Sequence, residues 1–234
     1  MCLQAGNVNT GAFDPAPELC AWAKAGHAWV HVDGAFGLWA RACPAAAAQA
    51  EGYDRADSWA TDAHKWLNVP YDCGIAMVRD ADALRAAMAM SAAYLPPSDS
   101  RDPAHYSPDG SRRARAVDVW AALEFLGRDG LAEMIERCCR HASRMALRLK
   151  EAGHEILNDV TLNQVLVSFG DDDTTAAVIG AIQHDGVCWC GGTRFQGRDA
   201  MRISVSSRAT SDADVDESVA SMLAMAARVK ERRR

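Results

Sequence analysis

Two residues near the start of the chain stand where open sheets usually place their chemistry. Asp33 follows the apolar run Ala28-Trp-Val-His-Val32, and Lys65 lies just beyond Ala56-Asp-Ser-Trp-Ala-Thr61. Both runs read as strands, and α/β sheets bind ligands outside the carboxyl ends of their strands. The pair therefore offers a carboxylate and an amine to a ligand. Taken singly, Asp33 is equally a turn residue after a strand, and Lys65 a solvated loop lysine. The flanking residues sharpen the reading: His31-Val-Asp33-Gly-Ala35-Phe-Gly37, then Asp62-Ala-His64-Lys65-Trp66, then Pro70-Tyr-Asp72-Cys-Gly74.

Other candidates lie further on. Arg202 opens a predicted strand in Met201-Arg-Ile-Ser204, where a guanidinium can grip a carboxylate through two parallel hydrogen bonds. An edge-strand surface arginine is the plain alternative. Tyr106, with Tyr94 as its competitor, falls in a Pro-rich stretch, where an exposed structural tyrosine is the plain reading. The run Ser111-Arg-Arg-Ala-Arg115 is too short for a nucleic-acid surface, and acidic partners in the same fold or subunit suffice for it. His184, Cys188 and Cys190 match no standard zinc spacing, and a buried apolar role suits the two thiols better.

The elements that must position these residues alternate between strand and helix, the mark of an α/β chain. Met1 to Gly6 reads as a strand and its exit loop. Asp14 is expected to cap a helix with Pro15 at its first position, with Leu19, Trp22 and Ala23 on one face and Gly26 as the stop. Cys43 to Ala56 is Ala-rich and tolerant of helix. Gly74–Val78 is a further strand, followed by a helix near Ala81–Ala92 and a long exposed loop from Tyr94 to Arg112. A helical pattern over Ala114–Ala152, broken near Gly127 and Gly130, stops at Gly153. The remainder reads as a strand within Val160–Phe169, a helix over Thr174–Gln183, strands at Val187–Cys190 and Met201–Ser206 around a Gly-rich connection, and a final helix from Asp212 or Asp214 to Val229.

Composition bounds the function. The 234 residues are 49% apolar and carry a net charge of −6, which excludes a disordered chain and argues against general nucleic-acid binding. No apolar run approaches the ~20 residues of a membrane span. The 8 cysteines are irregularly spaced, form no C-x-x-C pair, and suit reduced cytoplasmic thiols.

The quoted segments, together with Asn9-Thr-Gly-Ala-Phe-Asp14 and Arg112-Arg-Ala-Arg115 followed by Trp120, resemble the group II pyridoxal-5′-phosphate (PLP) dependent amino-acid decarboxylases. The resemblance covers nearly the whole chain. It implies the aspartate-aminotransferase architecture (fold type I): the C-terminal part of the PLP-binding large domain over 1–112, a connecting helical segment over 113–152, and a small C-terminal α/β domain over 153–234. It also implies a region preceding this segment that stacks an aromatic ring on the cofactor and supplies most of its phosphate loop. Lys65 would form the internal aldimine with PLP. Its amine must be neutral to do so, which calls for desolvation or a nearby cation. Asp33 would pair with the pyridine nitrogen, Ala35 would lie against one ring face, and His64 would contact the phosphate or the substrate adduct. Arg202 would hold the substrate carboxylate, and Tyr106 would return a proton after carbon dioxide leaves. The implied function is decarboxylation of an L-amino acid by a cytoplasmic homodimer. Another PLP chemistry on the same fold, such as an aminotransferase or aldolase-like reaction, and a non-catalytic remnant are the alternatives.

Overall fold

A computed structural model describes residues 1–89 and 101–233. Strand β1 (Cys2–Gln4) leads through a loop into helix α1 (Ala16–Ala25), which returns the chain to β2 (His31–Asp33). Three 3-10 turns, Gly37–Ala42, Ala47–Ala50 and Tyr53–Arg55, precede β3 (Ser58–Asp62), and β4 (Gly74–Val78) follows. The sheet order is β1-β2-β3-β4; the first three strands are parallel and β4 runs antiparallel to β3. Gln4, Asp33 and Ala60 share one row of the register, so the carboxyl ends of the parallel strands lie side by side. Side chains alternate across a strand. Leu3 and Val32 therefore turn to the opposite face, where they are buried with Ala16, Cys20 and Ala23 of α1.

That apolar stripe on α1 differs from the expected one. Trp22 is 71% exposed, and the buried positions are the small residues that let the helix approach the sheet closely. Asp14 does not cap α1 either. Its carboxylate accepts the Gln4 N–H at 2.7 Å, fastening the loop back onto β1. The Ala-rich stretch forms 3-10 turns, because Pro44 and the left-handed Gly52 (φ 80) bracket a segment too short to nucleate an α-helix well.

Helix α2 (Ala81–Met88) is capped by Asp80, whose carboxylate accepts from the N–H groups of Asp82 and Ala83. Helix α2 ends at Met88, with Ala89 already out of helical geometry (ψ 123), short of the expected end at Ala92; residues 90–92 lie outside the described residues. Helix α3 (Arg115–Glu151) is broken at Gly127, whose φ of 61° and ψ of −174° are non-helical. Beyond the break its buried face repeats every three or four residues, through Leu131, Met134, Ile135, Cys138 and Ala142. Before the break Trp120 and Phe125 are exposed.

The second sheet comprises β5 (Glu155–Ile156), β6 (Gln164–Ser168), β7 (Gly191–Phe195) and β8 (Arg198–Ser204), in the order β5-β6-β8-β7, with every pair antiparallel. Helix α4 (Asp172–Asp185) links β6 to β7, and α5 (Asp212–Arg232) closes the chain. The expected strand at Val187–Cys190 is not formed. The β7–β8 hairpin turns on Gln196 and Gly197 (φ 49 and 79), a two-residue loop whose register puts Gly191 and Gly192 inside β7 instead of in a turn. Cys190 is buried beside that strand with its Sγ 2.9 Å from Met201 Sδ, and burial pushes its thiol up to about 12. Helix α5 begins at Asp212, but its cap is Ser211, in a reciprocal pair with Asp214.

One apolar core joins this sheet to α3, α5 and the turn that follows β3. Trp66, fully buried in that core, pins the turn carrying Lys65. The exit loop of β1 also joins the two halves. Arg202 Nη1 donates to the Val8 carbonyl at 3.2 Å, Thr193 Oγ1 to Asn9 Oδ1 at 3.0 Å, and Asn158 Nδ2 to the Thr10 carbonyl at 3.0 Å.

Candidate functional site

The site is built where β2 and β3 end. Gly34 N–H donates to the Ala60 carbonyl at 2.9 Å, and Asp62 N–H donates to the Ala35 carbonyl at 2.8 Å. These two bonds extend the strand ladder past its end and hold Asp33, Ala35 and Asp62 together. Asp33 is exposed. Its Oδ1 accepts the Ala35 N–H at 3.2 Å, and its Oδ2 carries no hydrogen bond among the described residues. Ala35 is half-buried, with a methyl group as its only side chain.

Lys65 Nζ lies 2.8 Å from Asp62 Oδ2, and the lysine side chain is 41% exposed. This differs from the setting expected of a neutral amine. The nearest charge is an anion, not a cation, and water reaches the side chain. His64 is held more firmly. The Cys73 N–H donates to its Nδ1 at 3.0 Å, its ring rests 4.1 Å from that of Tyr71, and its Nε2 is 3.8 Å from Asp62 Oδ2. Asp62 thus stands between the histidine and the lysine. The segment carrying Tyr71 and Cys73 toward β4 is tied to α3 through Asp72. Arg115 donates to Asp72 from Nε and Nη2, and its guanidinium holds the Asp72 carboxyl below the usual carboxylate range. The basic run therefore finds its acidic partners within the chain: Arg112 with Asp109, Arg113 with Asp118 and Arg115 with Asp72.

Arg202 is half-buried on β8, and its bond to Val8 brings it to the loop leaving β1, next to the strand that ends in Asp33. Tyr106 is not gathered with these residues. Its ring carries the Arg101 guanidinium at 4.7 Å, beside the 3-10 turn Pro103–His105 that packs on α2. Among the described residues no hydrogen bond or ion pair joins Tyr106 to Lys65 or Asp33, and Tyr94 lies outside the described residues. Cavities of about 490 Å³ open elsewhere, one between α4 and α5 and one beside Trp59 and Met77.

Sequence reasoning missed two contributors. Asp62 lies within the Asp62-Ala-His64-Lys65-Trp66 motif, and its type alone suggests no role. Asn68, in a left-handed conformation (φ 56), ties the Lys65 turn to the chain beyond β8. An acid three residues before the lysine was the available signal for the first. The sequence carries no local signal for the second.

The donor set fits the cofactor the resemblance implies. A carboxylate with one open oxygen ends β2, an amine follows the end of the adjacent parallel strand, and Ala35, two residues after the carboxylate, carries only a methyl group. A positively charged ring nitrogen, an aldehyde and a flat ring face are what such groups match.

Comparison with known proteins points the same way. Residues 1–170 match the family model described as "Pyridoxal-dependent decarboxylase conserved domain". Histidine decarboxylase of Drosophila melanogaster is 30% identical over 220 residues, covering 92% of this chain and 26% of that protein. Aromatic-L-amino-acid decarboxylase of Drosophila lebanonensis is 28% identical over 218 residues, covering 91% of this chain and 54% of the relative. Among solved structures, Oryza sativa TDC with PLP and tryptamine superposes with a TM-score of 0.90 at 22% identity, over 97% of this chain and 50% of that one. Mouse CSAD in apo form gives 0.87 at 18% identity, over 96% and 51%. The chain spans between about a quarter and about half the length of the curated relatives it matches. The α/β architecture expected from the sequence, a partial fold type I chain, is that of these neighbours. With the strand-end carboxylate and lysine in place, and the family model covering more than half of its residues, the chain belongs to the pyridoxal-dependent decarboxylases.

Proposed function

We propose that the chain carries the lysine half of a site that decarboxylates an L-amino acid with pyridoxal 5′-phosphate. The observation that carries the reading is the juxtaposition of Asp33 and Lys65 at the ends of adjacent parallel strands, joined through the Ala35–Asp62 hydrogen bond. When bound, the cofactor supplies a sink for the electron pair left on the substrate Cα as carbon dioxide departs.

The chain's own residues have distinct tasks in this reading. Lys65, once released from Asp62 and deprotonated, would be the amine that holds the cofactor through its aldehyde, with water as the leaving group. Asp33, with one carboxylate oxygen left open, would hold the proton on the cofactor's ring nitrogen. Ala35 leaves room for a flat ring, and His64, braced by Cys73 and Tyr71, lines the same edge with Nε2. Arg202 has guanidinium N–H groups beyond the one given to Val8, and these suit a substrate carboxylate. Tyr106 is assigned the proton that replaces the carboxylate; its support is the phenol's chemistry. The names of the relatives, histidine, aromatic-L-amino-acid and tyrosine decarboxylases, favour a substrate with a ring-bearing side chain.

The division into 1–112, 113–152 and 153–234 belongs to the same proposal. It is supported by the first sheet lying in the first span, α3 in the second and the second sheet in the third. So does a cytoplasmic homodimer, which light scattering and fractionation test. No helix among the described residues is long and apolar enough to cross a membrane.

The test is a visible absorbance band on adding PLP, lost in Lys65→Ala, with carbon dioxide and the matching amine released from a panel of amino acids. A band that persists in Lys65→Ala overturns the lysine's role. Keto-acid product without carbon dioxide points to an aminotransferase. A non-catalytic remnant is the second reading, favoured by the exposed Lys65 held by Asp62, and it predicts neither band nor product.

A further inference from the structure

The turn carrying Lys65 and the strand carrying Arg202 meet at one side chain. Asn68 Nδ2 lies 2.9 Å from the Lys65 carbonyl oxygen, 2.8 Å from that of Trp66 and 2.8 Å from that of Ser206, so its two N–H groups are shared among three acceptors. Its Oδ1 accepts the Arg208 N–H at 2.7 Å. We propose that Asn68 is a positioning residue that clamps the Lys65 turn to the chain leaving β8 and so sets the Lys65 amine relative to Arg202.

The clamp works because each side is anchored independently. On one side Trp66 and Leu67 are buried in the core. On the other, Ile203 and Val205 are buried on either side of the strand end, and the Asn163 amide donates to the Val205 carbonyl at 2.9 Å. The segment is held from a third direction as well, since Arg137 of α3 donates to the Arg208 carbonyl at 3.0 Å. Between these anchors the polar link is a single primary amide using both its ends. Residue type matters twice. The left-handed φ of 56° is one that asparagine tolerates and most residues do not. Aspartate would keep an acceptor for Arg208 but offer no donor to three carbonyls, and alanine would keep neither. Being neutral, the amide leaves the charge around Lys65 unaltered, so its effect is one of geometry.

This inference rests on the proposed roles of Lys65 and Arg202, and the experiment separates the two. Residue-level amide exchange on the full chain reads the clamp without cofactor. In Asn68→Ala the Arg208 amide, whose bond to Asn68 lies at the surface, should exchange roughly twofold to tenfold faster, as for loss of one ordinary hydrogen bond, while Val165 and Val167 stay protected. In Asn68→Asp the Arg208 amide should stay slow. PLP with borohydride, followed by peptide mass spectrometry, then reads the pyridoxyl adduct on Lys65. Its yield should fall severalfold in both variants, and KM should rise more than kcat falls. An unchanged Arg208 amide in Asn68→Ala overturns the clamp. A faster Arg208 amide with wild-type adduct yield and KM overturns the positioning role. If Asn68→Ala loosens Val165 and Val167, Asn68→Asp decides: wild-type yield and KM there refute the proposal. A wild-type chain that gives no Lys65 adduct sinks the cofactor reading, and the Arg208 amide still decides the clamp.

Discussion

The Lys65 ammonium rests 2.8 Å from the carboxylate of Asp62, three residues before it, and the same aspartate donates its backbone N–H to the Ala35 carbonyl. The end of β3 therefore holds the lysine by its charge and the β2 exit by its main chain. Any reaction of the amine begins with the opening of that ion pair.

Replacing Asp62 with Asn should make Lys65 more reactive. A solvent-accessible pair of this kind contributes about 0.2–1 kcal/mol, so acylation of Lys65 near neutral pH should quicken by up to about fivefold. Peptide mass spectrometry after brief exposure to an acylating reagent measures it. A slower or unchanged reaction would show that the pair does not restrain the amine.

Gly37 is required by a close approach of two backbones. A Cβ there would lie 2.2 Å from the Ala5 carbonyl oxygen and 2.6 Å from the Gly6 nitrogen, atoms that cannot turn aside like a side chain. Gly37→Ala should destabilise the chain by about 3 kcal/mol, read as a lower urea midpoint. The neighbouring Gly34 differs. Its Cβ would meet the flexible Leu38 side chain, so Gly34→Ala should cost less.

Acid should weaken the fold through His154. Its ring packs edge-on against Phe169 at 4.7 Å, and burial, with Lys230 adding to it, holds the imidazole below its ordinary value. The unfolded chain then binds the proton more readily than the folded one. The contribution is complete above the ordinary value of about 6.5 and is lost as pH falls through it toward the depressed folded value. His154→Gln should narrow the gap between urea midpoints taken near neutral pH and near pH ~5. An equal gap in both proteins would refute this.

Arg202→Gln should raise the KM for the amino acid by roughly tenfold to a hundredfold, the range for losing a hydrogen bond between charged groups. Cofactor uptake should stay near wild type. Steady-state kinetics beside a PLP titration separate the two, and a loss confined to cofactor uptake would move Arg202 away from the substrate.

The place of the candidate site was legible because it sits where apolar runs stop. Asp33 and Lys65 each follow a run of strand-forming residues, and β4 forms over the span its pattern indicates, Gly74–Val78. Glycine punctuation was equally readable: Gly127 breaks α3, and Gly153 follows its end in the left-handed region (φ 87). What could not be read depends on partners distant in sequence. Asp14 has the composition of a cap, yet Gln4 of the neighbouring strand takes its carboxylate. Trp22 looks like a core residue, but the sheet lies close enough to α1 that only small side chains fit between them. Strand β7 was displaced by a few residues because the hairpin turn at Gln196-Gly197, not hydrophobicity, sets its register. Asn68 meets Ser206 and Arg208 across the fold, so nothing local marks it.

Val8 and Thr10 present main-chain carbonyls and Asn9 its side-chain amide oxygen to the second half of the chain, and none of the three belongs to a strand. The attachment is therefore made by consecutive rungs on a short ribbon of chain. Loosening one rung would leave the other two to keep the sheets in alignment. Shortening the ribbon by a single residue would put all three out of step at once.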